Sequence, residues 1–111
     1  MKWIPLLNES QLDKIVADSN NTPQVIFKHS TRCSTSSMVK NRLDKNEAPD
    51  GINFYLLDLI KYRNISNKIA ENFGIRHQSP QALIINNGKC VYNEDHSGIT
   101  FEELKEISLQ H

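Results

Sequence analysis

Cysteine is scarce in this chain of 111 residues, with Cys33 and Cys90 the only two. Two thiols are too few for a disulfide scaffold or for a thiolate zinc site. Long apolar runs are missing as well. None approaches the ~20 residues that a helix needs to cross a membrane. The first residues, Met1 to Glu9, turn polar too soon for a secretory signal. Neither sign of charge dominates, since 13 Lys and Arg stand against 13 Asp and Glu. A general nucleic-acid binder carries a basic surplus, so that class is disfavoured. There is no internal repeat and no low-complexity tract. What is present is 38% apolar and 23% charged residues, the polar side of an ordinary globular domain. Area scaling gives a folded surface of roughly 6,200 Å² against about 18,400 Å² extended, enough for one core. Residues 1–111 therefore read as a single domain, expected to be soluble, cytoplasmic, monomeric and reduced at its thiols.

The pattern along the chain alternates. Trp3 to Leu6 reads as a short strand that Pro5 confines to a sheet edge. Asn8 with Gln11 forms a capping box, and Leu12, Ile15 and Val16 give the stripe of a helix over 9–18. Asn20-Asn21-Thr22-Pro23 ends it. Gln24 to His29 is a buried central strand. After a polar loop, a helix begins at Ser34 with Met38, Val39 and Leu43 on one face. Ala48-Pro49-Asp50-Gly51 turns the chain into a second buried strand, Ile52 to Asp58. A further helix opens at Asn64 or Ser66, carries Ile65, Ile69, Ala70 and Phe73 inward, and stops at Gly74. Gln81 to Ile85 is the next strand, and Asn86-Asn87-Gly88-Lys89 is a hairpin turn leading to Cys90-Val91-Tyr92. Thr100 and Glu103 cap the last helix. The order is β-α-β-α-β-α-β-β-α. It implies an α/β domain with parallel strands, made mixed by the antiparallel final pair.

Cys33 stands where a buried strand gives way to a helix. Open α/β sheets place their sites at the carboxyl ends of such strands. A helix N-terminus also favours an anion, and a thiolate is one. Lys28, His29 and Arg32 lie close in sequence and add positive charge. The other reading is a small apolar residue capping a helix. Ser79-Pro80 opens a core strand and marks a tight turn, cis or trans. Cys90 reads as a small buried residue on the last strand. A Cys33–Cys90 disulfide, which needs Cα atoms within about 7 Å, is not expected. His29, His77, His96 and His111 are scattered. His29 and Cys33 form an i, i+4 pair with no further ligand in step, so no metal site is expected.

The element order, with Cys33 after the second strand and Ser79-Pro80 before the fourth, resembles the thioredoxin fold. More closely, Phe27-Lys28-His29-Ser30-Thr31-Arg32-Cys33-Ser34-Thr35-Ser36, followed by Gln78-Ser79-Pro80-Gln81, resembles the monothiol bacilliredoxins of the YtxJ type. Asp95 to Thr100 is similar to that family's Ser-His-x-x-Ile-Thr segment, with Asp95 replacing the serine. Members often carry Pro directly after the cysteine, where this chain has Ser34. The resemblance implies a thiol-disulfide oxidoreductase that removes bacillithiol from mixed disulfides on S-thiolated client proteins. It implies no tightly bound cofactor, with bacillithiol as co-substrate. It also implies a cis-proline loop packed on the cysteine loop. Cys33 would attack. Ser36 falls where a dithiol relative has its resolving cysteine, and its hydroxyl is expected to hydrogen-bond the Cys33 sulfur. Arg32, Ser34, Ser79 and Pro80 are the candidate binding residues, and Arg32 and Lys28 are matched to the carboxylates of the malate portion. Lys28 reads equally as an ordinary solvated lysine.

Two other readings compete. Arg32-Cys33-Ser34-x-Ser36 also resembles the loop of thioredoxin-fold arsenate reductases, which gather several arginines on an oxyanion. Here the arginines are Arg32, Arg42, Arg63 and Arg76. A thioredoxin-fold adaptor that binds peptides beside Pro80 without redox turnover is the non-enzymatic reading.

Overall fold

A computed structural model describes residues 1–110, so His111 lies outside the described residues. The chain runs β1 (Ile4–Pro5), α1 (Ser10–Asp18), β2 (Gln24–His29), α2 (Ser34–Asp44), β3 (Asn53–Asp58), α3 (Arg63–Phe73), β4 (Gln81–Asn86), β5 (Lys89–Asp95) and α4 (Phe101–Gln110). A 3₁₀ turn, His96–Gly98, joins β5 to α4. The accessible surface is 5916 Å², close to the value that chain size implies.

The strand order across the sheet is β1-β3-β2-β4-β5. The centre is β2, a run of six buried residues from Gln24 to His29. Because the period of a strand is two, its side chains divide between two layers. Ile26 joins Leu12 and Ile15 of α1 and Ile65 and Ile69 of α3 on one face. Val25 and Phe27 join Val39 and Leu43 of α2 and Leu104 of α4 on the other. Pro5 lies in the two-residue edge strand β1, where its missing N–H leaves no gap in a central ladder.

Local chemistry sets the ends. Asn8 Oδ1 accepts from Gln11 N at 3.1 Å, and Gln11 Oε1 accepts from Asn8 N at 3.1 Å, a reciprocal capping box ahead of α1. Gly74 closes α3 in the left-handed region at φ 62°. Asn87 and Gly88, at φ 52° and 75°, make the hairpin between β4 and β5.

One expectation from the alternation of elements needs correction. β4 does not run parallel to its neighbour. It is antiparallel to β2, with Lys28 opposite Gln81 and Gln24 opposite Ile85. The segment 74–80 after α3 carries the chain to the carboxyl end of β2 before β4 begins. A parallel β4 would have placed Pro80 at the opposite end of the sheet from Cys33.

Candidate active site

Three segments meet at the carboxyl end of β2. The first is the cysteine loop. Ser30 O accepts from Cys33 N at 3.2 Å, which closes a tight turn through Thr31 and Arg32. Cys33 is the N-cap of α2, in extended conformation at φ −108° and ψ 121°, and its carbonyl accepts from Ser37 N at 3.1 Å. It is a free, half-buried thiol. The unpaired N–H groups of the first turn of α2 lie ahead of it, the partial positive charge that favours a thiolate.

The second segment is the loop before β4. The ladder pairs Lys28 with Gln81, which sets Pro80 next to His29. The Ser79–Pro80 peptide is cis. Pro80 is buried, and Ser79 keeps its Oγ buried without a partner. The third segment is the 3₁₀ turn. His96 N donates to Pro80 O at 3.0 Å. Arg42 Nη2 on α2 donates to Ser97 O at 3.2 Å and Ile99 O at 3.0 Å, tying the turn to the helix that Cys33 opens. That arginine is thereby committed to backbone carbonyls, unlike one poised for an oxyanion.

Arg32 and Ser34 flank Cys33 and are exposed. Arg32 makes no ion pair among the described residues. Ser36 and Lys28 depart from expectation. The Ser36 hydroxyl does not bond the Cys33 sulfur. Ser36 is fully buried, its Oγ lies 2.7 Å from His29 Nδ1, and it accepts from Ser30 N at 2.9 Å. The first turn of α2 directs this side chain down onto β2, where His29 projects to the same face. Sequence spacing marked the i, i+3 relation to Cys33 and missed the i, i−7 relation to His29. An inward-facing polar residue on an otherwise apolar strand is the signal that points to it.

Lys28 is neither solvated nor placed on the Cys33 side. Strand alternation turns it to the layer of α1 and α3, with no exposed surface. Its Nζ donates to Ser66 O at 3.2 Å and lies 3.4 Å from His77 Nδ1, and burial brings its pKa down to about 8. It therefore drops out as a candidate for anion binding. His29 is stacked on Phe27, with ring centroids 6.0 Å apart. Burial and then the Lys40 ammonium hold its imidazole below the ordinary range, against the pull of Asp58 and Asp44.

Cys90 pairs with Ile85 at the far end of β4. Ile85 sits opposite Gln24, five positions before His29, so roughly 16 Å of strand separates the two ends. Cys90 is half-buried against the α1/α3 layer, its Sγ donates to Tyr92 O at 3.2 Å, and burial pushes its thiol pKa up. Among the described residues no group of three or more His, Cys, Asp or Glu side chains is placed to hold a metal ion. No described helix is long and apolar enough to cross a membrane.

Comparison with known proteins agrees with this layout. The family model described as monothiol bacilliredoxin BrxC matches residues 4–104. A solved structure of thioredoxin fold, proposed to be an oxidoreductase, superposes with a TM-score of 0.80 at 28% identity, covering 93% of this chain and 90% of that one. Thioredoxin from Trypanosoma brucei brucei superposes with a TM-score of 0.77 at 18% identity, over 99% and 93% of the two chains. Malassezia sympodialis thioredoxin gives 0.73 at 20%, over 99% and 90%. The fold is that of thioredoxin.

Proposed function

The chain belongs to the monothiol bacilliredoxin family and is a thiol oxidoreductase, and from that premise we propose that it removes bacillithiol from mixed disulfides on client proteins through Cys33 alone. The observation that carries the reading is the position of Cys33. It is a free thiol at a helix N-terminus, with Ser36 rather than a second thiol one turn on and Cys90 at the far end of the sheet.

The Cys33 thiolate attacks the bacillithiol sulfur of the mixed disulfide. The S–S bond to the client breaks, and the client cysteine leaves as a thiolate. Cys33 and bacillithiol now share a disulfide, so no net oxidation has occurred. An external thiolate then attacks the bacillithiol sulfur and releases Cys33. Backbone groups beside Pro80 pair with the client or thiol as a short strand, and exposed Arg32 and Ser34 meet its polar portion. Ser79 takes part through its backbone, since its Oγ is buried.

The test is intact mass after separate incubation with bacillithiol disulfide, glutathione disulfide and coenzyme A disulfide. A single adduct with the first, lost in Cys33→Ser and kept in Cys90→Ser, is the expected result. Loss in Cys90→Ser, with the fold intact, would overturn the monothiol reading. Preference for another disulfide would reassign the thiol. No adduct with any would favour a peptide-binding adaptor.

A further inference from the structure

Residues 76–79 lie between α3 and β4 and lead the chain into Pro80. Ile75 N donates to Ala70 O before this segment, and Pro80 O accepts from His96 N after it. Among the described residues, no backbone–backbone hydrogen bond ends on 76–79. Side chains hold the segment instead. Gln81 Nε2 donates to Arg76 O at 2.9 Å. His77 turns Nδ1 inward, to Ser66 Oγ at 3.2 Å and to Lys28 Nζ at 3.4 Å. Lys28 and Gln81 face each other across the β2–β4 ladder, so one cross-strand pair reaches two consecutive residues of the loop.

The chemistry of Lys28 fixes the sense of its contact. An ammonium has three protons and no lone pair, so a nitrogen that faces it must offer its own lone pair. His77 Nδ1 is therefore the acceptor, and the ring proton sits on Nε2. Ser66 Oγ donates to the same lone pair, and the sharing accounts for two contacts longer than an ordinary hydrogen bond. Burial, then the Lys28 and Arg63 cations, hold the His77 imidazole below its ordinary range, which keeps Nδ1 open to both donors. Lys28 also donates to Ser66 O at 3.2 Å, so the same ammonium ties α3 to the loop that follows it.

We propose that Lys28 is a positioning residue, which holds the Pro80 loop beside the cysteine loop through His77. It rests on the thiol-exchange reading above for what that loop binds. Lys28 faces the layer of α1 and α3, away from Cys33, so it acts only through the loop. A methionine would fill the same length of core without a charge. What it lacks is a proton for His77 Nδ1.

The test uses Cys90→Ser as background and a short peptide whose single cysteine is a mixed disulfide with bacillithiol or, separately, with glutathione. Intact mass follows transfer of the small thiol to Cys33 at pH 7. At limiting peptide, Lys28→Met should slow transfer about fivefold, the worth of one hydrogen bond. His77→Phe, which keeps a ring and removes Nδ1, should slow it at least as much. At saturating peptide both should match the background, because the loop binds and does not react. Iodoacetamide alkylation of Cys33, which needs no groove, should be unchanged in both. The double variant should be no slower than His77→Phe alone, whereas independent losses would multiply. Amide hydrogen exchange at residues 76–79 should quicken in both variants and not in β2. Transfer at the background rate by Lys28→Met, multiplied losses in the double variant, or alkylation slowed in parallel would overturn the proposal. Should Lys28→Met fail to fold, as checked by circular dichroism, the background protein itself decides. Ring ¹⁵N shifts must show His77 protonated at Nε2, and a proton on Nδ1 would overturn the proposal. Faster exchange at 76–79 in both variants, with transfer from the glutathione peptide alone or from neither, would defeat the preceding reading and leave the positioning of the loop standing.

Discussion

Replacing Lys28 with Met tests whether an uncompensated ammonium sits in the core. Lys28 has no exposed surface, and no carboxylate pairs with it among the described residues. Its partners are a helix carbonyl and a histidine nitrogen, both neutral. Gln81, opposite it in the ladder, keeps Oε1 unpartnered. Burial therefore lowers its pKa from 10.5 to about 8. Between those values the unfolded chain holds a proton that the folded chain has released, so stability rises with pH across that window. The charged form costs the fold about 3 kcal/mol at pH 7, about 2 at pH 9 and about 1 at pH 10. Lys28→Met removes this cost and keeps a long unbranched side chain. His77 Nδ1 retains Ser66 Oγ at 3.2 Å, so no acceptor is stranded there. Urea unfolding at pH 7, 8, 9 and 10, with reductant present, reads the difference. Lys28→Met should be at least as stable as the parent at pH 7, and the parent should gain roughly 2 kcal/mol relative to it by pH 10. At a urea m-value of about 1.5 kcal/mol/M, that is a relative midpoint shift of more than about 1 M. Parallel stability curves across the range would refute the buried, uncompensated charge.

The other expectations concern the site and the frame around it. Ser36→Cys should convert the loop to a dithiol that expels bound bacillithiol by forming a disulfide between Cys33 and the introduced thiol; the readout is loss of adduct mass without added thiol, and equally fast loss from the parent would mean another group resolves the intermediate. The substitution also gives up a buried acceptor for Ser30 N, so a stability loss of about 1 kcal/mol should accompany it in chemical denaturation. Gly74→Ala meets no atom within 4 Å but must hold φ 62°, so its cost is conformational, about 1 kcal/mol and roughly 4 °C in Tm by calorimetry. An unchanged Tm would show that the end of α3 relaxes into another conformation.

Much of this protein is written locally. Leu12, Ile15, Ile65 and Ile69 fall at helical spacing because α1 and α3 each bury one stripe. Asn87 and Gly88 specify a two-residue hairpin by tolerating positive φ. Cys33 was legible as a helix N-cap after a buried strand, since both the apolar run and the polar loop are local signals. The direction of β4 was not, because it depends on which end of the sheet the 74–80 segment reaches, and no residue in the strand encodes that. It took this antiparallel entry to bring Pro80 to the end of β2 that bears the cysteine loop. The face taken by Lys28 was equally hidden. A strand buried on both sides has no polar alternation to mark its layers, so Lys28 and His29 looked alike until α3 and α2 were packed on opposite sides. Ser36 completes the contrast. Its place one turn after Cys33 follows from sequence alone, while its hydrogen bonds to His29 and Ser30 exist only once α2 lies across β2 and excludes water from the space between them.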